Sequence, residues 1–534
     1  MRGGARSVPL SCSRAFTQAL RYENCKSVKN YAPIALATLA LALALLLGLA
    51  ACYPWLQQWQ ARYETRVQLN GQAVDLALKY QDLDRIFTFL RPEEARQARQ
   101  QIARLIAREK KPSPPGANAQ DVDSGDSAKI INPIYQGQHA LDGFFMALGQ
   151  LQAQPQPLRI AHYGDSQIEG DRLTVFLRAL FQQRFGGRGI GYVPMAEPAT
   201  SQNFVQREHT NFVRYSVFHN KLKSGEYALG GCMWRLPKGT EQGYYAFELA
   251  KGVAYDQLKL MWGNAPTAWQ LRVYLGNDSL LYTEELPAAA GFQLTQLRIP
   301  ADSRKLRLEI LAPASPDLYG LLFDGNTGLT VDNYSIRGHA GNGLLEISSG
   351  FMQQQYARLN TKLVILQYGG NVVPYIDVED FGWLEQANYN LIRKFRSLLP
   401  DASILVIGVG DAAYKNKEGE LTTWPTVEKI RNAQKRAALR AGVAFWDLWR
   451  VMGGPGSIVA WAAHNPPLAG EDYAHLTWHG QRLIATALFQ SLMHEYERFR
   501  QRLAATHTAT HGPGTAPTMQ ARKPNLANQN HVNQ

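Results

Sequence analysis

Three side chains set far apart in this chain have the types needed for acyl transfer: Ser166, Asp472 and His475. A serine hydroxyl becomes a nucleophile when a base takes its proton and a further group orients that base. In Glu471-Asp472-Tyr473-Ala474-His475 the carboxyl and the imidazole are three residues apart, just before a helical pattern whose cap is Thr477. In a loop leading into a helix, that spacing lets the carboxylate hold the imidazole Nδ1–H and leaves the other nitrogen for the serine. His464 and His479 compete for the role, but neither has an acid at the matching offset. The tetrahedral intermediate also needs preorganised donors. Gly338 in Ser335-Ile336-Arg337-Gly338-His339 can offer a bare N–H, and Asn371 in Tyr368-Gly369-Gly370-Asn371 can offer a side-chain amide. Taken singly, each is also what an ordinary loop contains.

The elements that must position these residues are legible around them. Leu158, Ile160 and Ala161 form an apolar run that reads as a buried strand ending at Gly164-Asp165-Ser166, with a helical pattern from Asp171 onward. Ser166 is expected at a strand-to-helix turn, its N–H aimed as at a helix N-terminus. The tripeptide recurs at Gly125-Asp126-Ser127, in a polar stretch with no strand before it and no helix after it. Context therefore separates Ser166 from Ser127. Further strands are expected at 329–336, 362–367, 403–409 and 443–446, and helices at 343–359, 379–398, 425–441 and 477–503. Strands alternating with helices predict a parallel sheet covered on both faces. Ser166, Gly338 and Asn371 would then all lie beyond strand carboxyl ends, where such sheets place ligands.

Between the first and second of those strands the texture changes. Short alternating runs over 203–325, separated by turn residues, predict an inserted β-sandwich. Its Tyr244, Tyr245, Trp262, Trp269 and Tyr274 suit either a core or a sugar-stacking surface. The glycine-rich stretch 186–194 matches no phosphate-binding spacing and reads as a tight loop.

Before residue 131 the expected order is a basic cytoplasmic tail (1–31), a membrane anchor (32–55), and a helical stalk with a linker (56–130). The anchor reading rests on a charge-free Ala/Leu run long enough for a hydrocarbon core of about 30 Å. Its basic flank predicts a single-pass inner-membrane protein with the rest in the periplasm. Leu49-Ala50-Ala51-Cys52 also resembles a lipoprotein box, and simple signal cleavage is the third option. The hydrolase portions are 131–202 and 326–504, and a Thr/His/Pro/Asn-rich tail over 505–534 is expected to be disordered.

A formal charge of +12 invites a nucleic-acid reading, but no Lys/Arg stripe interleaves with aromatics, and part of the excess sits in the first 30 residues. Of four cysteines only Cys232 lies beyond residue 55, so no disulfide framework is implied, and no Cys/His cluster has metal spacing.

Ser166, Gly338, Asn371 and Asp472-x-x-His475 stand in the order of the four sequence blocks of the GDSL/SGNH hydrolases, which this chain resembles over about 157–200 and 326–500. The resemblance implies a flavodoxin-like three-layer fold without cofactor or metal. It makes Ser166 the nucleophile and first oxyanion donor, Gly338 and Asn371 the other donors, and His475 the base oriented by Asp472. Gln167 after the serine and Val372 after Asn371 depart from the usual pattern. No Gly-x-Ser-x-Gly elbow surrounds Ser166, which argues against the α/β-hydrolase fold. With a jelly-roll-like β insert resembling a carbohydrate-binding module, the layout is similar to peptidoglycan O-acetylesterases. The expected activity is removal of O-acetyl groups from a cell-envelope glycan. An O-acetyltransferase using the same residues and a non-catalytic glycan-binding protein are the alternatives, and the oligomeric state stays open.

Overall fold

The computed structural model describes residues 100–107, 129–151, 156–196, 204–276 and 278–510. The expected tail, anchor, Cys52 and most of the stalk, as well as Ser127, lie outside these residues. No helix among the described residues is long and apolar enough to cross a membrane.

One sheet carries the α/β part. Its strands are β1 (Ile130–Ile131), β2 (Leu158–Gly164), β3 (Leu329–Ser335), β4 (Thr361–Gln367), β5 (Ser403–Ile407) and β6 (Ala444–Trp446). Their spatial order is β1-β6-β5-β4-β2-β3, parallel throughout except for β1 against β6. The chain steps from β2 outward to β3, then returns past β2 to β4 and onward. The order therefore reverses at β2, the switch point at which doubly wound sheets bind ligands. The register fixes the geometry there: Gly164 pairs with both Ser335 and Gln367, so three strands end level.

Both faces of the sheet are buried, which is why these strands read as near-continuous apolar runs. Along β2, Leu158 and Ile160 enter one core, and Ala161 and Tyr163 enter the other. Along β4, Leu363 and Ile365 alternate with Val364 and Leu366 in the same way. The helices of this part are α1 (Asp142–Gly149), α2 (Arg172–Phe185), α3 (Ser349–Tyr356), α4 (Gly382–Leu398), α5 (Thr426–Arg440), α6 (Leu448–Met452), α7 (Ser457–Ala462) and α8 (Trp478–Thr510). Phe181 of α2 meets Phe489 of α8 edge-on at 5.0 Å, closing one face. On the other face α4 turns Leu384, Leu391, Ile392, Phe395 and Leu398 inward, at the spacing of a helical stripe. Helix α8 runs to Thr510, past the boundary expected at residue 504, because no Gly or Pro interrupts the chain between Gly480 in its first turn and Gly512. The expected helix 343–359 is instead a 3₁₀ turn, Asn342–Glu346, followed by α3.

Two antiparallel sheets occupy the stretch between β2 and β3. One is ordered Ala289–Leu297, Gln257–Ala265, Asp317–Asp324, Cys232–Arg235, Val213–Ser216, and the other Ser279–Leu286, Trp269–Leu275, Lys305–Leu311, Gln242–Leu249, Phe204–His209. Trp262 of the first meets Trp269 of the second at 5.1 Å, and Phe247 of the second meets Phe323 of the first at 5.5 Å, so the sheets face each other across a shared core. Tyr245, Trp262 and Trp269 are buried in that core and present no surface to a sugar. Tyr244 and Tyr274 lie outside it, with the Arg307 guanidinium 4.5 and 5.4 Å from their rings. Gly191–Val193, within the stretch read as a loop, is a strand pairing with Asp317–Asp324.

A buried charge cluster joins the two parts. Arg159 of β2 binds Asp332 of β3 at 2.7 Å and also binds Asp324. All three are almost wholly buried, so removing one partner would strand a charge in the interior, a loss of about 3–5 kcal/mol.

Candidate active site

Strand β2 ends at a glycine for steric reasons. A Cβ on Gly164 would come within 2.8 Å of Ile168 and 2.9 Å of the Gln367 carbonyl. The chain then turns, and buried Asp165 accepts from the Gln167 N–H (3.0 Å) and from Asn371 Nδ2 (3.2 Å). Burial pushes the Asp165 carboxyl up to about 6, against the pull of those donors and of His475. The helix expected from Asp171 onward is present, but it does not open directly on Ser166. A 3₁₀ turn, Glu169–Asp171, intervenes, with Gly170 and Asp171 both left-handed at φ 68° and 67°, and α2 begins only at Arg172. Asp171 is held in this unfavourable conformation by two bonds from Arg178, at 2.7 and 2.9 Å. The Ser166 N–H is therefore set by the turn rather than by a helix N-terminus.

Ser166 Oγ lies 2.8 Å from His475 Nε2, and His475 Nδ1 lies 2.6 Å from Asp472 Oδ2. A carboxylate only accepts, so Nδ1 carries the proton and Nε2 accepts from the serine hydroxyl. The acid-histidine loop is built locally. Asp472 Oδ1 accepts the N–H groups of Ala474 (3.1 Å) and His475 (3.0 Å), closing a turn around left-handed Tyr473. Partial burial works to raise the Asp472 carboxyl, but those N–H groups and the imidazole together hold it below its ordinary value. Thr477 caps α8 as expected, accepting from Gly480 N–H at 3.3 Å. His464 faces the Pro466 carbonyl and His479 sits exposed on the first turn of α8. Neither is hydrogen-bonded to Ser166.

The sheet register brings the two remaining candidates to the same edge, with different outcomes. Asn371 stands in a single turn, Gly370–Val372, and lines a pocket of about 130 Å³ together with Ser166 and His475. Its Nδ2 donates to Asp165 and to the His339 carbonyl (3.1 Å), so both amide hydrogens are engaged. Gly338 is exposed, left-handed at φ 75°, and outside the lining of that pocket. The same pocket continues into an apolar wall of Val373, Trp424, Met452 and Leu476. Among the described residues no three His, Cys, Asp or Glu side chains form a metal-ligand group.

Sequence reasoning missed one connecting residue. Gln167 donates through Nε2 to the Ala474 carbonyl at 2.8 Å, tying the serine turn directly to the histidine turn. A single polar residue after a serine carries no periodic or spacing signal, and nothing in the sequence pairs it with position 474. Sequence reasoning assigned His339 no role either. Burial lowers its imidazole to about 4, so it is neutral, and its Nδ1 accepts from the Gly341 N–H at 3.1 Å.

Comparison with known proteins gives a fold and no family. No family model matches the sequence, and no curated protein matches it. Among solved structures, one described as a peptidoglycan O-acetylesterase is similar at a TM-score of 0.56 and 23% identity, over 69% of this chain and 99% of that one. A family two carbohydrate esterase from Cellvibrio japonicus is matched at a TM-score of 0.20 and 11% identity, over 50% of this chain and 92% of that one. A module from Clostridium stercorarium, CsCBM6-3 in complex with cellobiose, is matched at 0.19 and 12%, over 26% and 98%. The first shares this chain's fold. The other two likenesses are too loose to bear on it.

Proposed function

We propose that this protein is an SGNH-type serine esterase that removes O-acetyl groups from a cell-envelope polysaccharide, peptidoglycan foremost. The observation that carries the reading is the unbroken relay from Ser166 Oγ through His475 to Asp472 at the switch point of the sheet. The shared fold with a protein described as a peptidoglycan O-acetylesterase supports the choice of ester and glycan.

In the proposed reaction His475 Nε2 takes the hydroxyl proton as Ser166 Oγ attacks the ester carbonyl. The oxyanion is met by the Ser166 N–H and by Asn371, which turns one amide hydrogen from the His339 carbonyl to do so, while Gly338, outside the pocket lining, could join them only if its loop moved inward. Collapse expels the sugar hydroxyl, which leaves with the proton from His475. Water, deprotonated by the same nitrogen, then cleaves the acyl-enzyme and releases acetate. The small apolar-walled pocket suits a short acyl group.

The reading extends to location. Residues 32–55 anchor the chain in the inner membrane and the remainder faces the periplasmic glycan, on the strength of the charge-free run and its basic flank. Retention in the pellet after alkaline carbonate extraction is expected, and release would contradict the anchor. Catalysis is tested with purified full-length protein on p-nitrophenyl acetate and O-acetylated peptidoglycan. Acetate release that disappears in Ser166→Ala is expected. Undiminished release by Ser166→Ala would overturn the mechanism, and preferential acetyl transfer to added chito-oligosaccharide would make the enzyme a transferase.

A further inference from the structure

The larger cavity is not the one at the serine. A cleft of about 450 Å³ lies between the end of β3 and the antiparallel sheets. That volume is within the range of small-molecule sites. Glu169 and Arg337 line it, three residues beyond Ser166 and one before Gly338, and they pair with each other at 2.6 Å. Arg214 from the antiparallel side lines it too and donates to Cys232 Sγ at 2.9 Å.

Phe218 on its rim is the feature that needs a reason. It is 53% exposed, yet it is not on a slack loop. Fully buried Ser216 accepts the N–H groups of Phe218 (3.2 Å) and His219 (2.8 Å) through Oγ, and its own N–H donates to the His219 carbonyl at 2.7 Å. The ring stands edge-on to His339 at 6.4 Å, and the His339 carbonyl is the group that Asn371 holds in the serine pocket. A rigidly presented aromatic beside guanidinium groups matches a pyranose that bears an acid. The ring's apolar C–H face stacks on the aromatic and the carboxylate takes charge-assisted bonds from arginine. In the wall of the same cleft, Trp234 is fully buried and its Nε1–H has no acceptor among the described residues.

We infer that this cleft is a sugar subsite beside the catalytic pocket, taking a carboxylate-bearing pyranose with Phe218 as the stacking face and Arg214 as the cation. The inference rests on the esterase reading for the identity of the neighbouring reaction, and on the cleft alone for binding. Muramyl and uronyl sugars share the required chemistry.

Full-length Ser166→Ala protein, titrated calorimetrically with a muramyl-containing disaccharide, with digalacturonate and with chitobiose, tests it without requiring turnover. At least one acidic sugar should bind roughly fivefold or more tightly than chitobiose. The muramyl and uronate arms tell the two sources apart. Adding Phe218→Ala should weaken that sugar about tenfold. Adding Arg214→Gln should abolish the preference for acid, and Arg214→Lys should retain part of it. If Arg214→Gln melts early, Phe218→Ala and Arg214→Lys decide. Equal affinity for all three sugars, no binding, or affinity unchanged by Phe218→Ala would overturn the inference. Tight binding by a protein whose wild type hydrolyses no ester would remove the esterase reading and keep the subsite.

Discussion

The two halves of the candidate site are held by different physics. Asp165, Ser166 and Asn371 leave neighbouring parallel strands whose ends are levelled by backbone register, and Asp165 is 1% exposed. Asp472 and His475 ride on a loop closed by its own Asp472 side chain, and that side chain is 52% exposed. The nucleophile's half is therefore set by the whole sheet, and the base's half by a local turn joined to the serine turn by the Gln167–Ala474 bond and by the Ser166–His475 bond itself. An exposed carboxylate acts through water-screened charge, so its pull on the imidazole is weaker than that of a buried acid. The sheet half should thus be hard to disturb by single changes in the loop, while the loop half should be sensitive to them.

Three substitutions probe that contrast. His475→Ala removes the base and should lower kcat by about 10⁴-fold or more. Asp472→Asn keeps the turn but removes the charge, and about 10²-fold is expected, less than a buried triad acid delivers. Steady-state kinetics on p-nitrophenyl acetate would show both, and equal losses would mean the exposed acid does as much as a buried one. Gln167→Leu cuts the first of those connections and should lower kcat about tenfold with KM little changed. Recovery in Gln167→Asn or a matching loss in KM would point elsewhere.

The remaining effect falls on the buried half and appears in stability rather than rate. The Asp165 carboxyl titrates near 3.8 in the unfolded chain and near 6 in the fold. Between those values the folded protein keeps a proton that the unfolded chain has released. The resulting stabilisation is full below about pH 3.8 and lost as pH rises through about 6. Asp165→Asn lacks it, so the variant should gain on the order of 2–3 kcal/mol relative to wild type between pH 4 and 7 in urea unfolding. A pH-independent difference would show that Asp165 is not buried as described.

Legibility in the sequence followed the same division. Strands β2 to β6 were readable within a few residues because sheets covered on both faces require continuous apolar runs, and the longer helices α2, α4, α5 and α8 followed from their period. Ser166, Asp472 and His475 were legible because a serine beyond an apolar strand and a carboxyl three residues before an imidazole are types and spacing that suit acyl transfer. What escaped were relations between turns. Gln167 meeting Ala474 spans 307 residues with no pattern to announce it. The 3₁₀ turn before α2 depends on an Arg178–Asp171 pair within the helix's own first turns. Tyr245, Trp262 and Trp269 could not be sorted from Tyr244 and Tyr274 because the sandwich core and a sugar face use the same aromatic residues.

The central claim is that Ser166 carries the acyl group. Intact-mass spectrometry of full-length protein quenched in acid early in turnover of p-nitrophenyl acetate tests it most directly. A mass increase of one acetyl group, mapped by peptide digestion to Ser166 and absent from Ser166→Ala, is the predicted result. Hydrolysis by the wild type that proceeds with no adduct at any quench time, or an adduct mapped to another residue, would contradict it.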